Sequence, residues 1–168
     1  AEIMGVVWHQ RSRQLPWLCA IIVILFLFWF FVGHMVFALF LGLSQMTNIS
    51  SSLDVYLSAN GLMMIGIGSV VGAGFATVLF SFSVLALPLL LDREVDFVTA
   101  MITSFQYVSQ YPLIMLGWGV VIALTTFVSL LPGFLGLFLT LPLLGHATWH
   151  LYRRAITSAG ENGEDPAP

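Results

Sequence analysis

Residues Trp17 to Leu43 read WLCAIIVILFLFWFFVGHMVFALFLGL, and only Cys19, Gly33 and His34 interrupt the apolar run. A helix needs about 20 such residues, rising about 1.5 Å each, to cross roughly 30 Å of hydrocarbon. A helix apolar around its whole circumference cannot hide that surface in water, so the stretch predicts a transmembrane span. It is longer than one crossing, which predicts tilt or protrusion. Upstream, Ile3, Val6 and Val7 lie at helical spacing beside Trp8, with Arg11 and Arg13 following. That pattern predicts a short interfacial helix leading to Pro16, which suits a helix's first turn.

Downstream, Ser44–Asn60 carries Gln45, Thr47, Asn48, Ser50, Ser51, Ser52 and Asp54 without a positive charge, and reads as an exposed loop with a helical turn at Leu53–Leu57. Asn48-Ile49-Ser50 matches a glycosylation sequon, a pattern too short to carry weight. Gly61–Leu91 is a second apolar run. Within it Gly68, Gly72 and Ala76 recur every fourth residue, so they share one helix face. Small residues there admit a neighbouring backbone, from this chain or from a partner subunit, and both readings stay open. Pro88 should bend or end that helix.

The only dense charge cluster, Asp92-Arg93-Glu94-Val95-Asp96, comes next. After it Val98, Met101, Ile102, Phe105 and Val108 alternate with Thr99, Thr103, Gln106 and Ser109 at helical spacing, an amphipathic pattern expected to lie in the interface. Asp92 is the expected N-cap of that helix. Pro112 opens a third span to Leu131, and Pro132-Gly133 breaks it before a fourth at 134–152 that contains Pro142, where a kink is expected. As one helix, Pro112–Leu151 would be about 60 Å long, so a hairpin is the better reading. The acidic, proline-bearing tail 157–168 is expected to be flexible and cytoplasmic.

Composition agrees with this reading. Of 168 residues 59% are hydrophobic and 8% charged. Mean hydropathy is +0.99, whereas soluble domains carry about 25% charged residues. The predicted fold is an all-α integral membrane protein. It has four transmembrane helices in one domain over 1–156 (spans about 17–43, 61–91, 112–131 and 134–152), and an interfacial amphipathic helix between the second and third. The lipid bilayer is its first partner. Nucleic acid is not expected, because lysine is absent and no basic stripe occurs. The single Cys19 excludes an intrachain disulfide and reads as a small packing residue.

The five positive side chains set the orientation: Arg11 and Arg13, then Arg93, then Arg153 and Arg154. With four spans all of them fall on one side, which is the cytoplasmic side because positive charge is retained there. Both termini are therefore expected inside, in a bacterial cytoplasmic membrane. Trp17, Tyr107, Tyr111, Trp149 and Tyr152 sit near that inner interface, as aromatic belts do.

Four histidines carry the candidate chemistry. His34 lies about 25 Å along the first span at ~1.5 Å per residue. An ionisable group at that depth is a functional candidate, for proton transfer or a ligand, set against a neutral histidine bonded to another helix. His146 and His150 stand one turn apart on the fourth span, the spacing of a two-imidazole face. The glutamate of a zinc-protease motif is missing between them, and an interface network is preferred over haem or metal there. His9 could reach their level. Asp92, Arg93, Glu94, Asp96, Arg153 and Arg154 form an interfacial charge cluster suited to capping and docking rather than catalysis. No nucleophile elbow, P-loop or dinucleotide fingerprint occurs, and no enzyme activity or required cofactor is expected.

The strings Phe80-Ser-Phe-Ser-Val84, Leu87-Pro-Leu-Leu-Leu-Asp-Arg-Glu-Val-Asp96, Thr99-Ala-Met-Ile-Thr-Ser104, Gly133-Phe-Leu-Gly-Leu137 and Leu141-Pro-Leu-Leu-Gly-His-Ala-Thr-Trp-His-Leu-Tyr-Arg153 resemble a family of bacterial predicted integral membrane proteins, a domain of unknown function. The resemblance is good over Phe80–Arg154 and weak before it. It implies six spans, two of them upstream of this chain, which would account for the missing initiator methionine. Some members are described as candidate cytochrome c oxidase subunits. This chain lacks the deep histidines of a catalytic subunit, so the resemblance implies an accessory role. The leading functional expectation is a non-catalytic accessory subunit or assembly factor of a respiratory or photosynthetic electron-transfer complex, partnered by other membrane subunits. The alternatives are a small transporter or channel-like protein using His34, or a haem- or metal-binding membrane protein using His146 and His150.

Overall fold

The computed structural model describes residues 14–42 and 54–161. All regular structure among them is helical: α1 (Leu15–Leu41), α2 (Asp54–Leu57), α3 (Ala59–Ser83), α4 (Ala86–Asp92), α5 (Phe97–Gln110), α6 (Pro112–Leu130) and α7 (Leu137–Glu161). The expected N-terminal interfacial helix, the sequon and the end of the tail lie outside the described residues, as does His9. The chain divides into two units, one of Ala20–Leu79 and one of Ala1–Cys19 with Phe80–Pro168.

Three stretches among the described residues are helical, long and apolar enough to cross a membrane: Leu15–Leu41, Ala59–Asp92 and Pro112–Leu130. They coincide with the first three expected spans. α7 takes in the fourth expected span from Leu137 onward and continues to Glu161. His146, His150, Arg153 and Arg154 lower its hydropathy.

In the unit Ala20–Leu79, α3 is started by Ser58. Its hydroxyl accepts the Gly61 N–H at 3.1 Å and donates to the Val55 carbonyl at 2.6 Å, tying the short α2 to the cap. α1 and α3 meet through small residues and aromatic rings. A side chain added at Gly72 would touch Trp29 Nε1 at 3.5 Å, one at Gly68 would touch Val36 at 3.9 Å, and Phe28 stacks obliquely on Phe75 at 5.8 Å.

The other unit contains every buried apolar side chain found among the described residues, including Leu85, Ala86, Leu89, Ala100, Met115 and Tyr152. Its organising feature is a break in the second expected span. Proline at 88 has no N–H for the Val84 carbonyl, and its ring crowds that carbonyl, which favours a kink or break one turn upstream. The break falls at Val84–Leu85, between α3 and α4. There Ser104 of α5 enters the gap: its hydroxyl accepts the Leu85 N–H at 3.2 Å and donates to the Ser81 carbonyl at 2.7 Å. In an unbroken helix Leu85 N–H and Ser81 C=O would bond each other. One inserted hydroxyl satisfies both, a recognised cause of a sharp helix kink.

One expectation about α5 is corrected. Asp92 does not cap it. Asp92 is the last residue of α4, and the cap is Asp96, whose carboxylate accepts the N–H groups of Val98 at 3.0 Å and Thr99 at 3.2 Å. Arg93–Asp96 is extended linker, so the helix can start only at Phe97. The face of α5 that packs inward carries its small side chains and Val108. Ala100, Ser104 and Val108 are buried, whereas Val98, Ile102 and Phe105 remain about half exposed. Close helix contact selects small side chains, and the bulky ones are left for an apolar solvent.

Between α5 and α6, Tyr111 closes one helix and precedes Pro112 at the start of the next, outside the α region as a pre-proline residue should be. The α6–α7 turn contains Gly133 and Phe134 with φ of 62° and 70°, a left-handed pair that reverses the chain where Pro132-Gly133 predicted. Gly136 then passes so close to Ser129 that an added Cβ would lie 2.7 Å from the Ser129 Cα. α7 runs on through Pro142.

Candidate functional site

The sequence-singled residues gather in three places. The first is the junction of α4, α5 and α7. Tyr152, 2% exposed, donates its phenol to Asp92 at 2.9 Å. The partner described for Asp92 is thus the neighbouring phenol. The bond ties the end of α4 to α7 across 60 residues of sequence. Tyr152 also lies against Trp149, ring centroids 5.4 Å apart. Leu90, Arg93, Glu94 and Asp96, with Gln14, line a polar hollow of about 350 Å³ beside the junction. Arg153 and Arg154 extend from α7 and are exposed. Within the charge cluster one carboxylate, Asp96, caps a helix and another, Asp92, receives a phenol.

The second place is the α7 histidine pair. The rings of His146 and His150 meet edge to face, centroids 4.5 Å apart and planes at 84°, and their Nε2 atoms are 3.0 Å apart. Both side chains are exposed. No third histidine, cysteine, aspartate or glutamate among the described residues joins them in a group able to hold a metal. One ring must donate its Nε2–H to the other's lone pair, because two lone pairs at that distance repel.

The third place is α1. His34 directs Nδ1 at the Phe30 carbonyl one turn back, 2.8 Å away, and stacks on the Phe30 ring at 4.2 Å. The polar cost of the imidazole within the span is thus met partly by its own helix, through a carbonyl that can take a second donor. Trp29, Phe30, Gly33, His34 and Phe37 line a shallow hollow of about 340 Å³ on that helix. On α3, Gly68 and Gly72 face α1, as described above, and Ala76 is exposed.

Sequence reasoning missed Ser104 and Tyr152 as organising groups. A signal existed for the first: Ser104 is the one polar residue in the Ala100–Ser104–Val108 stripe, and Pro88 upstream announces a helix gap needing a donor and an acceptor. For Tyr152 the only hint was an aromatic beside arginines.

No curated protein and no solved structure matches the chain. A family profile, that of the predicted integral membrane proteins (DUF2189), matches residues 1–92. The match ends at Asp92, so of the resembling strings quoted above only those within Phe80–Asp92 fall inside it. With more than half of its length matched and three helices fit to cross a bilayer, this multi-pass chain belongs to the DUF2189 family of predicted integral membrane proteins.

Proposed function

We propose that this protein is a non-catalytic accessory subunit or assembly factor of an electron-transfer complex in a bacterial cytoplasmic membrane. The observation that supports an accessory role is how little of its spans the chain covers by itself. The most apolar window is only 6% buried in Leu15–Leu41 and 11% in Pro112–Leu130. A solitary transporter or membrane enzyme needs an enclosed interior, whereas a subunit offers its helix faces to neighbours. An open apolar groove of about 500 Å³ points the same way; it is lined by Phe80, Leu87, Pro88, Ile122, Leu144 and Trp149. The electron-transfer assignment rests on the family resemblance.

In this reading α7 is a fourth span and α5 lies in the inner interface, with Val98, Ile102 and Phe105 in the lipid. The three arginine groups and both termini are cytoplasmic. Periplasm-active reporters fused after residues 48, 96 and 161 test that topology: activity is expected at the first site alone. For the function itself, the tagged protein is purified from native membranes in mild detergent and its co-migrating partners on a native gel are identified by mass spectrometry. Stoichiometric oxidase, bc-type or reaction-centre subunits are expected. A solitary species or a pure homo-oligomer defeats the accessory reading, and flux assays on His34→Ala in liposomes then become the informative experiment.

A further inference from the structure

We infer that His146 and His150 form a two-imidazole chelate for a divalent transition-metal ion, at an exposed position on α7. This does not rest on the subunit reading. Two observations carry it: the i, i+4 placement on one helix face, and the convergence of both Nε2 atoms to 3.0 Å. Metal–imidazole bonds are about 2.1 Å long, so two nitrogens at this spacing subtend about 90° at a shared ion. That is the angle between adjacent positions of a square-planar or octahedral site, which suits Cu²⁺ or Ni²⁺ better than tetrahedral Zn²⁺. The proton now shared between the two Nε2 atoms would give way to the ion, with a rotation of each ring that turns its lone pair off the N–N line toward it.

The exchange balances without any other reactant. The donor ring moves its proton from Nε2 to Nδ1, both Nε2 lone pairs then face the ion, and each ring stays neutral. Because no third protein ligand is described, water completes the shell, or a group from a neighbouring chain does so. Exposure leaves room for either.

The test uses the full chain in detergent, carrying an affinity tag free of histidine, titrated with Cu²⁺ alone against glycine as a competing chelator. Paramagnetic resonance is expected to show one bound Cu²⁺ per chain with two equivalent nitrogens. His146→Gln and His150→Gln should each weaken binding at least tenfold, since loss even of a ligand's supporting group costs about 10–100-fold. His34→Gln should leave binding unchanged. A second variant, His150→Leu with Leu151→His, keeps the composition but turns one ring about 100° around the helix, and should behave like the single losses. Unchanged binding in the pair variants overturns the site. So does a loss that follows His34, or Cu²⁺ stripped by equimolar glycine, which marks an adventitious ion only.

Discussion

In the unit Ala20–Leu79, α1 and α3 touch through glycine and aromatic rings. Gly68 faces Val36, Gly72 faces Trp29, and Phe28 meets Phe75. The unit that includes Phe80 onward is joined by directed bonds: Ser104 to Leu85 and Ser81, Tyr152 to Asp92, and Asp96 to the start of α5. The buried apolar side chains of the described residues all belong to this second unit. The difference follows from what each unit must solve. Two uninterrupted helices satisfy their backbone internally, so shape alone decides how they meet. A unit with breaks at Val84–Leu85, Arg93–Asp96, Tyr111 and Leu131–Gly136 exposes backbone groups that need partners, and side chains from other helices supply them.

If this contrast is right, substitutions in the second unit should cost more than comparable ones in the first, as read by thermal unfolding in detergent. The largest loss is expected for Gly136→Val. Its Cβ would press on the Ser129 backbone, which cannot rotate away, and the α6–α7 turn should open at a cost of about 3 kcal/mol or more. Ser104→Ala comes next, at about 1–3 kcal/mol, because a buried donor and acceptor lose their shared partner. A negligible loss there would mean that α3 and α4 close into one helix with Leu85 N–H on Ser81 C=O, and the kink would then be optional.

Tyr152→Phe keeps the ring and removes the bond to Asp92, for a loss of about 1 kcal/mol, moderated because the carboxylate reaches solvent. Asp96→Ala should cost a similar ~1 kcal/mol by uncapping α5, with the loss seen first in hydrogen exchange at Val98 and Thr99. Gly72→Ala in the first unit should be neutral or slightly stabilising. Its methyl meets Trp29 at an ordinary contact distance, and alanine favours a helix over glycine by up to about 1 kcal/mol. If Gly72→Ala proves costlier than Ser104→Ala, the contrast is reversed and the α1–α3 contact is the more tightly specified of the two.

The sequence by itself determined the class of the protein, the three apolar spans, the short turn near Leu57 and the reversal at Pro132-Gly133. Each is a local property: hydropathy summed along a window, or the backbone restrictions of proline and glycine. It also marked His146 and His150 as one face, since helical spacing needs only the count of residues. Tertiary structure alone decided which face of α5 is buried, that Asp96 rather than Asp92 caps it, that Ser104 fills the gap opened by Pro88, and that Asp92 meets Tyr152. These outcomes depend on which surfaces and orphaned backbone groups approach from elsewhere in the chain. In an apolar span where leucine and lipid are alike, residue pattern holds little information about that approach.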